Sequence, residues 1–181
     1  MLEGKTVNLR VMEREDLPLF AEWLNKPDFI GEYNPLRQLP RTEIERGYEK
    51  NGPEKGEFII EKKDGSTIGY IWHFITMHPV AKLLEIGYFT IPSETGKGYC
   101  SEGAKIMVDY LFLSKDIVRI QAHTDVRNVA SQKVLENVGF KKEGIVRKFL
   151  FNRGKWMDGC LYSILREEWK EPKILTRTEK T

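Results

Sequence analysis

The chain has 181 residues, with 29 Lys and Arg against 27 Asp and Glu, for a formal charge of +2. That length suits one domain with a core that needs no disulfides, and the near balance of charge argues against a nucleic-acid partner. Two distant cysteines (Cys100, Cys160), three histidines (His73, His78, His123) and no apolar run of the roughly 20 residues that span a bilayer lead us to expect a soluble cytoplasmic protein with no metal and no membrane partner.

In chain order, "KTVNLRVM" (Lys5–Met12) alternates apolar and polar residues, as a half-buried strand does. "REDLPLFAEWLN" reads as a helix with Asp16 near its start and Pro18 in its first turn. Pro27–Pro40 is rich in Pro, Gly and aromatic residues and reads as a loop. "RTEIERGYEK" returns to a helical pattern, with Thr42 and Glu45 at capping-box spacing. Strands are predicted over Glu57–Lys63 and Thr67–Thr76, joined at Asp64-Gly65, and over Lys82–Ile91. A Gly-rich turn precedes a helix with Gly103, Ile106, Met107, Tyr110 and Leu111 on one face and Glu102, Lys105 and Asp109 elsewhere. Ile117–Thr124 reads as a buried strand. "NVASQKVLENVGF" reads as a short helix ending at Gly139, a residue suited to the left-handed region. Glu143–Glu168 reads as two strands around "NRG" at Asn152–Gly154. Residues 3–170 form the expected domain, and 171–181 a flexible charged tail. The order β-α-α-β-β-β-α-β-α-β-β predicts a mixed α/β fold, its sheet not uniformly parallel and covered by helices.

The turn "PSETGKGYCSEGAK" (Pro92–Lys105) places Gly96, Lys97 and Gly98 between a strand and a helix. It is not a P-loop: Ile91 stands where the first Gly should be, and Gly98 where Ser or Thr should follow Lys97. It is a poor dinucleotide fingerprint, because Ser101 replaces the third Gly. A third reading is a turn whose N–H groups, with the N-terminus of the next helix, cradle a pyrophosphate, assisted by Lys97. An ordinary Gly-rich connection is the bland alternative.

A second pattern joins it. "HTDVRNVASQKVLENVGF" sets Asn128 and Ser131 at the start of a helix that ends at Gly139-Phe140. Together with "IGYFTIPSETGKGYCSEGA", the opening "VNLRVMEREDLPLFAEWLN" and the closing "RGKWMDGCLYSILREEW", this resembles the GNAT superfamily of N-acetyltransferases. The resemblance is nearest its RimJ/RimL-type branch and covers roughly Lys5 to Trp169. It implies a mixed, mostly antiparallel twisted sheet with helices on both faces. It also implies transfer from acetyl-CoA to a primary amine: a protein N-terminus, a polyamine or another small amine. A homodimer is compatible with it. The rival readings are a non-catalytic acyl-CoA-binding or sensing domain and a nucleotide-binding enzyme.

The resemblance implies roles residue by residue. Thr95, Gly96, Lys97, Gly98 and Tyr99 would hold the pyrophosphate. Phe89, Thr90 and Ile91 would line the pantetheine, with the Phe89 N–H as oxyanion donor. Asn128 would bond the pantetheine and Ser131 would assist the departing thiolate; simple helix capping is the alternative for both. Two positions depart from the family pattern. Ser93 replaces its Arg or Gln, and Leu135 replaces the Tyr that many members use as general acid. Glu85 is the candidate base, acting directly or through a water. Tyr88 would orient that water or line the acceptor pocket, whose wall would include Phe29, Glu32 and Tyr33; a buried structural tyrosine is the equal alternative for Tyr88. Cys100 reads as a packing residue, the four Trp as core or edge aromatics, and Asp158 as a structural bond across the last hairpin.

Overall fold

A computed structural model describes residues 1–50, 52, 55–78 and 81–174. Its strands are β1 (Leu2–Glu3), β2 (Val7–Val11), β3 (Gly56–Lys62), β4 (Thr67–His78), β5 (Ala81–Thr90), β6 (Arg119–Asp125), β7 (Lys141–Asn152) and β8 (Lys155–Leu165). They form one sheet in the order β1-β2-β3-β4-β5-β6-β8-β7. Every neighbouring pair is antiparallel except β5 and β6. The helices are α1 (Leu17–Asn25), α2 (Pro27–Ile30), α3 (Arg41–Glu49), α4 (Tyr99–Ser114), α5 (Val129–Val138) and α6 (Arg166–Trp169). The mixed, mostly antiparallel architecture expected from the sequence is the one found.

Two cores flank the sheet. On one face α4 and α5 bury Ile106, Met107, Leu111 and Leu135 against Leu9, Ile60, Leu84, Ile86, Ile120 and Tyr162. On the other, α1 and α3 bury Leu17, Trp23 and Ile44 against Met12, Ile59 and Tyr70. Local chemistry explains the turns. Gly65, at φ +85°, closes β3–β4, with the Ser66 N–H donating to Asp64 Oδ1 at 2.9 Å. Arg153 and Gly154 both have positive φ, the requirement of a two-residue hairpin turn whose twist matches the strands. Gly139, at φ +109°, ends α5, and the Phe140 N–H returns to the Leu135 carbonyl at 3.0 Å. Asp158 does bond across the last hairpin: its Oδ1 accepts from the Lys148 N–H at 2.9 Å.

Several expectations need correction. Pro27–Ile30 forms a helical turn inside the expected loop, with Pro27 at the first position, where a missing N–H is harmless. Pro40 rather than Thr42 precedes α3, so no capping box forms there; Arg41 pairs with Glu45 at 2.8 Å instead. The first helix is shorter than Arg14–Asn25 because Arg14–Asp16 is a separate 3-10 turn. Asp109, set apart from the apolar face of α4 by pattern, is fully buried. It accepts from Trp169 Nε1 at 2.8 Å and from the N–H groups of Lys173 and Ile174 at 2.8 and 2.6 Å. The start of the expected tail is therefore tied to the core, while residues 175–181 lie outside those described.

His73 on β4 lies 2% exposed between Phe58 and Tyr110, and its Nδ1 has no partner among the described residues. Burial holds its imidazole down at about 4. In the unfolded chain the same group protonates near 6.5, so acid favours unfolding. Stability should fall as pH drops from about 6.5 towards 4, by roughly 2 kcal/mol at pH 5. Urea midpoints at pH 7 and pH 5 measure this. A His73→Leu variant should lose much of the difference; an equal pH dependence in both proteins would assign the acid sensitivity elsewhere.

Candidate active site

The site begins where β5 and β6 separate. Their pairing is confined to Leu84–Ile120 and Glu85–Gln121, although both strands continue in the same direction to Thr90 and Asp125. Register decides which backbone groups face that wedge. Ile91 donates its N–H to the Ile68 carbonyl of β4 at 2.9 Å, and β4 and β5 pair without a break from Gly69–Thr90 to His78–Ala81. Alternate residues of an antiparallel strand face the same neighbour, so Phe89, Gly87 and Glu85 bond towards β4. The N–H of Phe89 is therefore directed at Tyr70, its partner in β4, and is not available as the expected oxyanion donor. The backbone of Ile86 still pairs with β6, and beyond it the backbone groups of Tyr88 and Thr90 face the wedge instead.

Side chains alternate with the same period. Glu85 projects to the α1/α3 side, at the point where the strands part. Its Oε1 lies 3.0 Å from His123 Nδ1 on β6; its Oε2 accepts from Gln121 Nε2 at 3.1 Å and from Thr76 Oγ1 at 3.4 Å. The His123 ring stacks on Phe149 of β7, with centroids 4.5 Å apart. The Trp72 ring crosses Gly87, where an added Cβ would stand only 2.2 Å from it. Phe89 packs edge-on against Trp23 at 5.6 Å. None of His123, Gln121, Thr76 or Phe149 was singled out from the sequence, since no short-range spacing joins them to Glu85.

Tyr88 projects to the opposite side, where its hydroxyl lies 3.2 Å from both the carbonyl oxygen and the Oγ of Ser131. Burial pushes its phenol well above the usual range. Tyr88 thus braces the start of α5 and does not share the Glu85 face, which fits the structural alternative and not the acceptor-side one. Asn128 is the α5 N-cap: its Oδ1 accepts from the Ser131 N–H at 3.0 Å. The Ser131 hydroxyl is therefore not the cap. Leu135 is 1% exposed and packs in the core, leaving no acid at that position. Burial pushes the Cys100 thiol up to about 12, consistent with packing and not with a thiolate nucleophile.

The Gly turn adjoins this side. Gly96 and Gly98 adopt φ +75° and +86°, and a Cβ at either would meet nothing within 4 Å. Gly98 immediately precedes α4, and the first intrahelical bond runs from the Glu102 N–H to the Gly98 carbonyl at 3.0 Å. The N–H groups of Tyr99, Cys100 and Ser101 thus lie in the turn of a helix that its own carbonyls cannot satisfy. Lys97 pairs with Glu94 at 3.1 Å, half exposed, so its charge is partly offset.

A continuous cleft of about 1230 Å³ joins the two sides. It exceeds the roughly 300–1,000 Å³ of a single small-ligand site. Of the expected site residues, its wall holds Tyr33, Glu85, Tyr88, Phe89, Thr90, Thr95, Gly96, Asn128 and Ser131. It does not include Phe29, Glu32, Ile91, Lys97, Gly98 or Tyr99. Phe29 instead packs on the α1/α3 core, beneath Lys26. Glu32 contributes its carbonyl, which accepts from Asn152 Nδ2 at 2.8 Å and so ties the loop to the β7–β8 hairpin. Arg127 lies over the Tyr33 ring, 5.5 Å from its centroid. No three His, Cys, Asp or Glu side chains converge to hold a metal among the described residues.

Residues 6–141 match the family described as "Acetyltransferase (GNAT) domain". The chain is 33% identical over 183 residues to "Probable N-acetyltransferase YjcK" of Bacillus subtilis, covering 93% of this chain and 98% of that protein. Among solved structures, a spermidine N-acetyltransferase from Vibrio cholerae, in complex with CoA and spermine, shares the fold at a TM-score of 0.81 and 23% identity. That match covers 92% of this chain and 99% of the other. The ribosomal-protein-S5-alanine acetyltransferase of Vibrio fischeri aligns at 0.77 and 24%, covering 92% and 97%. With the parted strands, the Gly turn and the family match over most of its length, the chain belongs to the GNAT family of N-acetyltransferases.

Proposed function

We propose that this acetyltransferase moves the acetyl group of acetyl-CoA directly to a primary amine within a ternary complex. The observation that carries this reading is the single cleft that runs from the Gly turn, past the β5–β6 wedge, to the Glu85 side chain. A pyrophosphate would lie on the N–H groups from Gly96 to Ser101, reinforced by the positive end of α4 and by Lys97. A pantetheine amide chain would pair with the wedge-facing backbone of Tyr88 and Thr90. The oxyanion donor moves from Phe89 to Tyr88, whose N–H faces the wedge beyond the last β5–β6 pair; one such donor lowers a barrier by about 3 kcal/mol. Ser131, beside Tyr88, would hydrogen-bond the departing thiolate. Glu85 and the groups bonded to it would handle the amine proton, since an ammonium has no lone pair with which to attack.

The solved relatives named above include one crystallised with a polyamine and one named for a ribosomal protein, so small polyamines and protein N-termini both belong in the first substrate panel. The test is an acetylation screen over N-terminal peptides, polyamines and aminoglycosides, read by release of free CoA thiol. Thiol release matched by acetylated amine is the expected result. Saturable stabilisation by CoA without transfer to any amine would instead identify a non-catalytic acyl-CoA-binding domain.

A further inference from the structure

We propose that the proton acceptor of the site is Nε2 of His123 and that Glu85 is the residue that positions it. This rests on the acetyl-transfer reading above. Both oxygens of Glu85 are already engaged, Oε1 by His123 and Oε2 by Gln121 and Thr76. These three donors occupy three of the carboxylate's roughly four acceptor positions, leaving one lone pair of Oε1. His123 is placed differently. When Nδ1 carries the proton and donates it to Glu85, the neutral ring keeps its lone pair on Nε2. That tautomer is the one a carboxylate partner selects.

The ring is also held in position. It lies nearly parallel to Phe149, at 13°. Phe149 has room to lie there because residue 159 is glycine; a Cβ at Gly159 would stand 2.8 Å from the Phe149 ring. The side chains of His123 and Glu85 are 14% and 15% exposed, yet both line the cleft. A shielded imidazole that in this tautomer keeps the lone pair of its far nitrogen, beside a fixed carboxylate, has the parts of a general base. In the step, the amine nitrogen bonds to the thioester carbon and its proton passes to Nε2. The C–S bond breaks with its electron pair on the CoA sulfur, which takes a proton from solvent by way of Ser131. The imidazolium formed is balanced by Glu85 until it returns its proton to solvent. The net products are the acetylated amine and CoA thiol.

The decisive variant is His123→Asn. Its side-chain amide sits where Nδ1 does and can still donate to Glu85, but nothing replaces Nε2. Turnover should fall by about 10²-fold or more, with the KM for acetyl-CoA and the melting temperature little changed. Glu85→Gln keeps an oxygen that accepts from Nδ1–H, so its turnover should fall less than that of His123→Asn. If His123→Asn fails to fold, His123→Ala should recover turnover when free imidazole is added, and absence of recovery would overturn the proposal. A folded His123→Asn with wild-type turnover would also overturn it, as would Glu85→Gln being the more damaged variant; both return the base role to Glu85. Those results leave acetyl transfer itself intact. A wild-type protein that releases no thiol with any amine would instead remove the acetyl-transfer reading, and this proposal with it.

Discussion

Gly98→Val should weaken CoA binding by at least about tenfold, equivalent to roughly 1.4 kcal/mol. The residue sits at φ +86° immediately before α4. Apart from Gly98 and its two chain neighbours, no protein atom lies within 4 Å of an added Cβ, so within the folded chain this space is open. A valine there would direct two methyls into the volume a pyrophosphate needs to reach the N–H groups of the turn. The backbone itself also suffers. A left-handed conformation costs a residue with a side chain about 1–2 kcal/mol, so the variant should melt earlier without ligand. Gly98→Ala separates the two effects, because it carries most of the backbone strain with far less bulk. Calorimetric titration at a temperature where all three proteins are folded should rank CoA affinity as wild type, then Ala, then Val. A folded Val variant with wild-type affinity would move the phosphate site away from this turn.

What could be read from the sequence follows the range of the interactions involved. Gly65, Gly139 and the Arg153-Gly154 turn depend on their own φ and a neighbour or two, and the local pattern identified each of them. The order of strands and helices follows from hydrophobic periodicity, which is also local. The α3 cap failed for a nearby reason: Pro40 fits the extended residue before a helix, and the chain starts its helix one residue ahead of Thr42. Asp109 failed for a distant one, since its partners Trp169, Lys173 and Ile174 lie some 60 residues away.

The site shows the same division. Glu85, Gly96, Gly98, Asn128 and Ser131 stand in short motifs and could be named from them. The direction of the Phe89 N–H could not, because a shift of one residue in strand pairing reverses every backbone group. The β4–β5 register comes from ten consecutive pairs, not from any residue near Phe89. His123 is a similar case. It stands 38 residues from Glu85, and only the parallel alignment of β5 with β6 brings the two together. Its orientation depends further on Phe149 and on the missing side chain at Gly159, which a linear pattern cannot connect.

Ser131→Ala should lower turnover by about 10²-fold and leave acetyl-CoA binding and stability nearly unchanged. The structure permits that separation because Asn128, not Ser131, caps α5. The Ser131 backbone N–H would still donate to Asn128 Oδ1, so truncating the hydroxyl removes no cap. The buried Tyr88 hydroxyl would keep the Ser131 carbonyl as a partner. Asn128→Ala is the counterpart, expected to lose about 1 kcal/mol of stability as N-cap removals do. The chemical reason for a turnover effect lies in the leaving group. A thiol near pKa 8.5 departs as an anion that gains from a nearby hydroxyl, and Leu135 cannot supply one. Acyl donors with more acidic thiols should therefore narrow the gap between wild type and Ser131→Ala, since a stabler thiolate needs less help. Melting temperature, acetyl-CoA affinity and turnover measured on one preparation decide the matter. A Ser131→Ala protein with undiminished turnover on acetyl-CoA would take Ser131 out of the reaction and leave the thiolate to solvent.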